Sequence, residues 1–375
     1  MEKRDEAEGM VFDSKMLLEN ESLLNLLKSA DIETSRRVVD QLKKFGIPRY
    51  LVAPIYVGWD ITYRCNFRCI HCYLACSRHS VNELTREELF DIADQIVRMK
   101  IFSVSFSGGE PLLRWKDLIA LVRYFAEHGV GVSMVTNGWY VTEKRAKELA
   151  KYIGQVEISI DGSRAEVHEK VRGVPGSFER AVRAVRLFNE VNVETNIGTS
   201  LTRFNIEDFP NMIKLCKEIG VQGLITGHLY NSGRAFLNDV KPTKDQYEAV
   251  KRFIENYNAN KSEKESPTVM FVDPTEVIRV TALLGLTTVV HITAHGFLVL
   301  HVLLPFEVGN LREQTLDEAW VEGVRVAWKH PKLRDAVPKI RYVDDVPLAT
   351  AGHVYDVLDL MHLNLNEIAE ENRER

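Results

Sequence analysis

Four of the chain's five cysteines lie within residues 63–77, in the segment YRCNFRCIHCYLACS. Their order is Cys65-x3-Cys69-x2-Cys72, with Cys76 following four residues later. Thiolates at these spacings converge on one soft metal centre only if the loop that carries them wraps around it. Iron–sulfur clusters normally take four cysteines, so a three-cysteine motif suits a [4Fe–4S] cluster in which one iron keeps an open coordination position.

Zinc is the alternative metal for this segment. A structural zinc site needs four ligands, and in that interpretation Cys76, His71 or His79 supplies the fourth. Cys76 is also a candidate fourth ligand of an iron–sulfur cluster, although it lies a further turn away from the other cysteines. The cysteines by themselves leave these alternatives open.

The elements around the cysteines place them at the end of a strand. Residues 55–62, IYVGWDIT, are strand-like and directly precede the segment. Residues 85–99 are predicted as a helix, since Thr85 and Glu88 match a capping box and the apolar residues recur at helical spacing. Roughly six strand–helix units follow one another as far as residue 229.

This regular alternation predicts an α/β fold with a parallel sheet and helices on its outside. Eight units complete a barrel, so we expect an open, partial (β/α)6 TIM-like barrel. In such folds the chemistry collects on the loops that follow the C-terminal ends of the strands. The cysteine segment is the first of these loops.

The remainder of the chain divides into further predicted regions. Residues 1–54 are predicted as an N-terminal helical extension and residues 55–255 as the barrel core. The polar run NYNANKSEKES, residues 256–266, is predicted as a linker. Residues 268–375 are predicted as a smaller C-terminal α+β domain, with a β-hairpin that turns at His295-Gly296.

Composition and charge restrict the class of protein. Hydrophobic residues make up 45% and charged residues 27%, which is ordinary for a globular protein. The net charge of -5 gives no electrostatic reason to expect nucleic-acid binding. The N-terminus lacks the pattern of a secretory signal, and histidines interrupt the longest apolar stretch, residues 289–306. We therefore expect a cytoplasmic protein without a membrane span, in which clustered cysteines hold metal or carry out redox chemistry.

Motifs at successive strand ends resemble the radical S-adenosylmethionine (radical SAM) superfamily. The CxxxCxxC motif follows the first strand and has an aromatic residue, Tyr73, after its last cysteine. The second strand ends in SFSGGEPLL and the third in VTNG, residues 135–138. The fourth strand, which runs into residues 158–182, and YNSGRA at residues 230–235 resemble the SPASM/Twitch branch, which modifies peptides and tetrapyrroles. The resemblance covers about residues 55–325.

This resemblance implies an enzyme with one [4Fe–4S] cluster on Cys65, Cys69 and Cys72. It implies that S-adenosylmethionine (SAM) binds the open iron and is reductively cleaved to a 5′-deoxyadenosyl radical, which abstracts hydrogen from a substrate. The cofactor-binding residues that it suggests are Gly108, Gly109, Glu110, Asn137, Ser159, Asp161 and Arg172.

The residue types agree with these roles. Two glycines allow the backbone to approach a ligand closely, and the Glu110 carboxylate suits an ammonium group. Arg172 suits a bidentate pair with the cofactor carboxylate, while Ser159 and Asp161 suit ribose hydroxyls. The structural alternatives are a surface Arg172 and an Asn137 that only caps a turn.

The resemblance favours a radical SAM oxidoreductase that matures a ribosomally made peptide. Tetrapyrrole or haem biosynthesis is the alternative substrate class, and a non-catalytic metal-binding protein is the alternative of another kind. The implied partners are a peptide or small-molecule substrate and an electron donor such as ferredoxin or flavodoxin, with no nucleic acid and no membrane. No residue is assigned as a catalytic acid or base.

The C-terminal region departs from the SPASM branch, which normally carries cysteines for auxiliary clusters there. No cysteine follows Cys216, which lies on the apolar face of a predicted helix and is expected in the core. Where thiols are expected, the chain has Leu300-His301, Val337, Ile340, Val346 and Ala349. We therefore predict a SPASM-like domain without auxiliary clusters, one cluster per chain, and structural roles for His291, His295 and His301.

Overall fold

The computed structural model describes residues 51–262, 265–304, 307–330, 333, 337–340 and 342. Most of the predicted N-terminal helical extension, and the part of the predicted C-terminal domain that follows residue 342, lie outside the described residues.

Within the part of the chain that the structure describes, ten strands form one sheet. They are β1 (Tyr56–Thr62), β2 (Ser103–Gly108), β3 (Gly131–Thr136), β4 (Gln155–Ser159), β5 (Glu194–Gly198), β6 (Gly223–Gly227), β7 (Thr268–Val272), β8 (Val289–Ile292), β9 (Phe297–Val299) and β10 (Glu307–Asn310). Their spatial order is β10-β9-β8-β1-β2-β3-β4-β5-β6-β7. The run from β8 through β1 to β7 is parallel, whereas β8 with β9 and β9 with β10 are antiparallel.

Helices connect the parallel strands. They are α1 (Arg86–Arg98), α2 (Trp115–Glu127), α3 (Glu143–Leu149), α4 (Ala165–Arg172), α5 (Ser177–Glu190), α6 (Phe209–Ile219), α7 (Gly233–Leu237), α8 (Lys244–Asn260), α9 (Pro274–Leu284) and α10 (Leu316–Glu322). Short 3-10 turns cover Pro111–Arg114, Ile206–Asp208, Val324–Lys329 and Val337–Lys339. The capping box predicted from Thr85 and Glu88 begins α1.

The predicted α/β class with a parallel sheet is confirmed, and the hairpin is present as β8 and β9. The six strands predicted for the barrel core are present as β1 to β6, and β7 and β8 extend the same sheet by pairing with β6 and β1. The predicted boundary near residue 268 therefore coincides with a strand of this sheet.

The polar run predicted as a linker is partly helical. The helix α8 continues to Asn260, and its buried face includes Tyr247, Val250 and Ile254. The run supplies the solvent face of an amphipathic helix, for which polar residues are normal. Composition alone does not separate such a face from a loop.

The two faces of the sheet differ in polarity because side chains alternate along each strand. In β1, Val57, Trp59 and Ile61 are fully buried in the main hydrophobic core. Full burial of each such side chain stabilises the fold by about 1.5–3 kcal/mol. The opposite face, here called the inner face, carries the polar side chains Asp60, Ser105, Ser107, Ser133, Glu157, Ser159 and Asn196.

Candidate functional site

The cysteine segment forms a compact loop after β1. Cys65, Cys69 and Cys76 are buried, and Cys72 is half-buried against them together with Trp139 and Val174. The backbone N–H of Cys65 donates to the Ser77 carbonyl oxygen at 2.6 Å, which closes the base of the loop. All four thiols that the sequence grouped therefore lie in one cluster of side chains.

Each of the three predicted ligand sulfurs has a hydrogen-bond donor. The backbone N–H of Phe67 lies 3.4 Å from Cys65 Sγ, and Arg172 Nη1 lies 3.8 Å from Cys69 Sγ. The Cys76 thiol, the charge of Arg234 and backbone N–H groups lower the pKa of Cys72. Donors aimed at cysteine sulfur stabilise metal-bound thiolates.

Cys76 has a different environment. Contact with the Cys72 thiol, followed by burial, raises the pKa of Cys76 well above its ordinary value. Cys76 therefore lies in contact with Cys72, within the same cluster of side chains.

Burial raises the pKa of Cys65 to about 12 and that of Cys69 to about 11. A soft metal displaces such protons when it binds, since the thiolate is the ligand. Buried sulfurs with donors in place fit an iron–sulfur cluster. Within the described residues, no group of three or more His, Cys, Asp or Glu side chains is arranged around a single metal ion.

Arg234 binds the cysteine loop from α7. Its Nε donates to the Cys69 carbonyl at 2.8 Å, and its Nη1 donates to the Cys76 carbonyl at 2.9 Å. Its backbone N–H donates to the Cys72 carbonyl at 2.9 Å. Gly233 precedes it with φ 53°, and a Cβ there would collide with the Tyr73 carbonyl. The YNSGRA stretch thus holds the shape of the cysteine loop, a role that the sequence analysis had not assigned.

The two glycines after β2 pack against the same loop. A Cβ on Gly108 would collide with the Thr62 carbonyl oxygen, and one on Gly109 with that of Arg64. The N–H of Gly109 donates to Thr62 O at 2.7 Å, and that of Glu110 donates to Arg64 O at 2.9 Å. The two glycines therefore allow the backbone after β2 to come close to the protein's own backbone at the root of the cysteine loop.

Glu110 is completely buried and joins the second motif to the third. Its Oε1 accepts from Thr136 Oγ1 at 2.7 Å and from the Leu112 N–H at 3.0 Å. Its Oε2 accepts from the Asn137 N–H at 2.9 Å. Burial raises its pKa in spite of these hydrogen bonds. The carboxylate predicted to receive an ammonium group thus already accepts three hydrogen bonds from the protein.

Asn137 caps its own turn and reaches the cysteine loop. Its Oδ1 accepts from the Trp139 N–H at 2.9 Å, and its Nδ2 donates to Asn66 Oδ1 at 3.0 Å. Asn66 lies between Cys65 and Cys69, so the predicted turn cap also tethers the loop. The sequence analysis did not single out Asn66.

Arg172 and Asp161 lie together beneath the cysteine loop. Arg172 Nε is 2.5 Å from Asp161 Oδ2, and both residues are buried. Asp161 was predicted to bind the ribose hydroxyls of the cofactor, and Arg172 was predicted to bind its carboxylate. In the structure the two side chains contact each other. Arg172 is not a surface residue, the structural alternative considered for it.

Ser159 lies at the C-terminal end of β4, beside Gly198 of β5. Glu157 precedes it by two positions on the inner face, and a Cβ on Gly198 would collide with its carboxylate. Burial raises the pKa of Glu157 to about 7. Glu157 is a carboxylate within a strand, on a face where serines predominate. That pattern is the sequence signal that could have identified Glu157.

The C-terminal positions without cysteine are mostly apolar and buried. Leu300, Val337 and Ile340 belong to the main hydrophobic core, whereas Val346 and Ala349 lie outside the described residues. His301 Nδ1 accepts from the Leu303 N–H at 3.2 Å, and His295 Nε2 lies 2.9 Å from the Val81 carbonyl. Cys216 is fully buried, as predicted. Among the described helices, none has the length and apolar character needed to span a membrane.

Residues 59–216 match the sequence profile of the radical SAM superfamily. The mycofactocin maturase MftC of Mycolicibacterium smegmatis is 38% identical over 215 residues, which are 56% of this chain and 53% of that protein. The AdoMet-dependent heme synthase of Methanosarcina barkeri is 28% identical over 303 residues, or 76% of this chain and 85% of that protein. The chain thus spans about half the length of the mycofactocin maturases that it matches.

Solved structures share the fold. Streptococcus suis SuiB bound to its precursor peptide SuiA aligns with a TM-score of 0.59 at 18% identity, over 87% of this chain and 79% of that chain. SuiB bound to S-adenosylmethionine gives a TM-score of 0.58 at 17% identity, over 82% and 76% of the respective chains. The sequence match over residues 59–216 thus confirms the predicted resemblance to the radical SAM superfamily, and these solved structures share the fold.

Proposed function

We propose that the protein is a radical SAM enzyme that matures a peptide. Cys65, Cys69 and Cys72 would hold a [4Fe–4S] cluster, and the bound cluster and SAM would supply the radical chemistry that removes hydrogen from the substrate. The observation that carries this proposal is the set of three clustered thiols, each with a donor, at the end of β1 in a radical SAM domain.

The chain's own residues position these groups. Arg234 fixes the loop through three carbonyls of cysteine residues. Gly108, Gly109 and Glu110 join the root of that loop to β2 and β3. With Asn137 and Ser159, they are the residues that we propose for SAM. Asp161 and Arg172 were also predicted to bind SAM, but in the structure the two pair with each other.

The names of the relatives support a peptide substrate. MftC is a maturase, and SuiB has been solved with a precursor peptide. The inner face carries polar side chains and ends at the cysteine loop, which is suitable for binding a substrate beside the radical source. An electron donor such as ferredoxin or flavodoxin, and a cytoplasmic location without nucleic-acid partners, complete the proposal. We also propose that residues 268–375 form a SPASM-like region without auxiliary clusters.

A tetrapyrrole is the second candidate substrate. The match to the heme synthase of Methanosarcina barkeri extends over 85% of that protein, although its identity is only 28%. The two candidates are separated by offering deuterated substrates, one a candidate precursor peptide and the other an iron porphyrin with propionate side chains. Deuterium in 5′-deoxyadenosine identifies the class whose hydrogen is abstracted.

The reaction type is tested by assembling the cluster anaerobically and adding dithionite and SAM. We expect 5′-deoxyadenosine from the intact protein, a loss of at least about tenfold in Cys69→Ala, and no loss in Cys216→Ala, which removes a thiol remote from the loop. Absorbance in the iron–sulfur region distinguishes the cluster from zinc. A protein that binds zinc only, or that yields no 5′-deoxyadenosine, contradicts the proposal.

A further inference from the structure

A buried ion pair lies against one cluster cysteine. Arg172, the last residue of α4, places Nη1 3.8 Å from Cys69 Sγ and Nε 2.5 Å from Asp161 Oδ2. The backbone reinforces this position, since the N–H of Ile70 donates to the Val171 carbonyl at 3.1 Å. Arg172 therefore reaches the sulfur itself, whereas Arg234 reaches only carbonyl oxygens of the same loop.

Asp161 is held on its other side by the backbone. Its Oδ1 accepts from the Ser200 N–H at 2.8 Å, and its own N–H donates to His168 Nδ1 at 3.0 Å. His71 Nε2 lies 3.7 Å from Asp161 Oδ2. The carboxylate thus has a fixed position between the cysteine loop, α4 and the start of the segment after β5.

Two opposite charges lie beside the cysteine loop, the Arg172 guanidinium and the Asp161 carboxylate, and they form an ion pair. The two opposite charges lie at different distances from the sulfur, because the guanidinium contacts Cys69 and the carboxylate contacts the guanidinium.

Hydrogen bonds to cysteine sulfur and nearby charge both set the reduction potential of an iron–sulfur cluster. Reduction adds one negative charge to the cluster. A guanidinium that donates to the Cys69 sulfur stabilises that charge and raises the potential, whereas a carboxylate behind it opposes the added charge and lowers the potential.

We propose that Arg172 and Asp161 together set the reduction potential of the cluster through Cys69, with Arg172 raising it and Asp161 moderating that effect. This inference rests on the proposed function, since it requires a cluster on Cys69. It assigns the two residues to positioning and tuning rather than to direct contact with SAM. The carboxylate role predicted for Arg172 is the competing assignment.

The test measures the cluster's potential without SAM, by mediated dithionite titration followed by electron paramagnetic resonance. Arg172→Gln shifts the potential to more negative values, because the donor and its charge are lost. Asp161→Asn shifts it to more positive values, because the Arg172 charge is no longer compensated. Arg172→Lys keeps the positive charge but lacks the planar guanidinium group. Its reduction potential falls between those of the wild type and Arg172→Gln.

Arg164→Gln is the matched control. Arg164 immediately precedes α4, its side chain is 59% exposed, and it pairs with Asp208 rather than with the cysteine loop. Its replacement removes the same charge and leaves the potential unchanged. The SAM dissociation constant is measured for each variant as a second readout.

Shifts of the same sign in Arg172→Gln and Asp161→Asn, or no shift in either, overturn the inference. So does weaker SAM binding with an unchanged potential, which assigns Arg172 to the cofactor carboxylate. If Arg172→Gln fails to assemble a cluster, the other two variants test the inference. It then requires a more positive cluster potential in Asp161→Asn and a more negative one in Arg172→Lys. A wild-type protein that assembles no cluster contradicts the proposed function as well, whereas an assembled cluster with unshifted variants contradicts only this inference.

Discussion

Gly109 lies so close to Arg64 that a Cβ atom on the glycine would overlap the Arg64 carbonyl oxygen. The end of β2 and the root of the cysteine loop are thereby packed backbone to backbone. Two motifs separated by more than thirty residues in sequence form one structural unit, which Glu110 extends to the end of β3.

Gly109→Ala is therefore expected to disturb both motifs. The added methyl group forces a backbone shift, and overpacking of this kind costs about 1–3 kcal/mol of unfolding free energy. Since the shift moves the root of the cysteine loop, iron content after reconstitution also falls. Gly154→Ala is the control, because a Cβ at Gly154 meets nothing within 4 Å. Urea unfolding and iron analysis measure the difference, and equal effects of the two substitutions would show that the packing is loose.

Arg234→Ala removes the side-chain hydrogen bonds to two carbonyls of the cysteine loop. Hydrogen bonds from charged donors are worth about 1.5–3 kcal/mol each, so we expect a loss of about 3 kcal/mol in unfolding free energy and reduced iron occupancy. Arg203→Ala is the matched control, since Arg203 is exposed and pairs with Asp239 at the surface. Normal iron occupancy in Arg234→Ala would mean that the loop keeps its shape without this contact.

Iron analysis also tests the ligand set and the number of clusters. We expect about four irons per chain after full reconstitution, which corresponds to one [4Fe–4S] cluster. We expect Cys76→Ser to keep that content, because Cys76 lies outside the CxxxCxxC motif. Cys72→Ser lowers it sharply. An equal loss in both variants would make Cys76 a fourth ligand, and about eight irons per chain would reveal an auxiliary cluster.

Glu157 predicts a pH dependence of stability. Burial raises its pKa from 4.5 to about 7, so the folded state holds a proton that the unfolded state has already released. This favours the folded state at low pH, and the advantage is lost as pH rises from about 4.5 to about 7. Glu157→Gln should therefore gain about 3 kcal/mol relative to the wild type between pH 4 and pH 8.

Thermal unfolding of both proteins across this pH range measures that gain. Glu127→Gln gives the baseline, since Glu127 is an exposed carboxylate on α2. A constant difference between Glu157→Gln and the wild type at all pH values would place Glu157 in contact with water.

The sequence determined the features that depend on neighbouring residues. The capping box of Thr85 and Glu88, the burial of Cys216 on its helix and the hairpin near His295 all follow local patterns, and all are present. The alternation of strands and helices also determined the parallel α/β class, because helical connections return each strand in the same direction. The motifs at successive strand ends also indicated the superfamily. They could be interpreted together because the C-terminal ends of parallel strands lie along one edge of the sheet.

Only the tertiary structure decided which side chains become partners. The addition of β7 and β8 to the two edges of the parallel sheet depends on pairings with β6 and β1, which no local pattern encodes. Arg172 could have faced solvent or a cofactor, yet it pairs with Asp161 because both are buried, and a buried charge requires a compensating one. Arg234 likewise reaches Cys69 across 165 positions of sequence. These contacts form only when the chain folds. Burial removes water from each polar group, so the group must pair with a neighbouring polar or charged group of the protein.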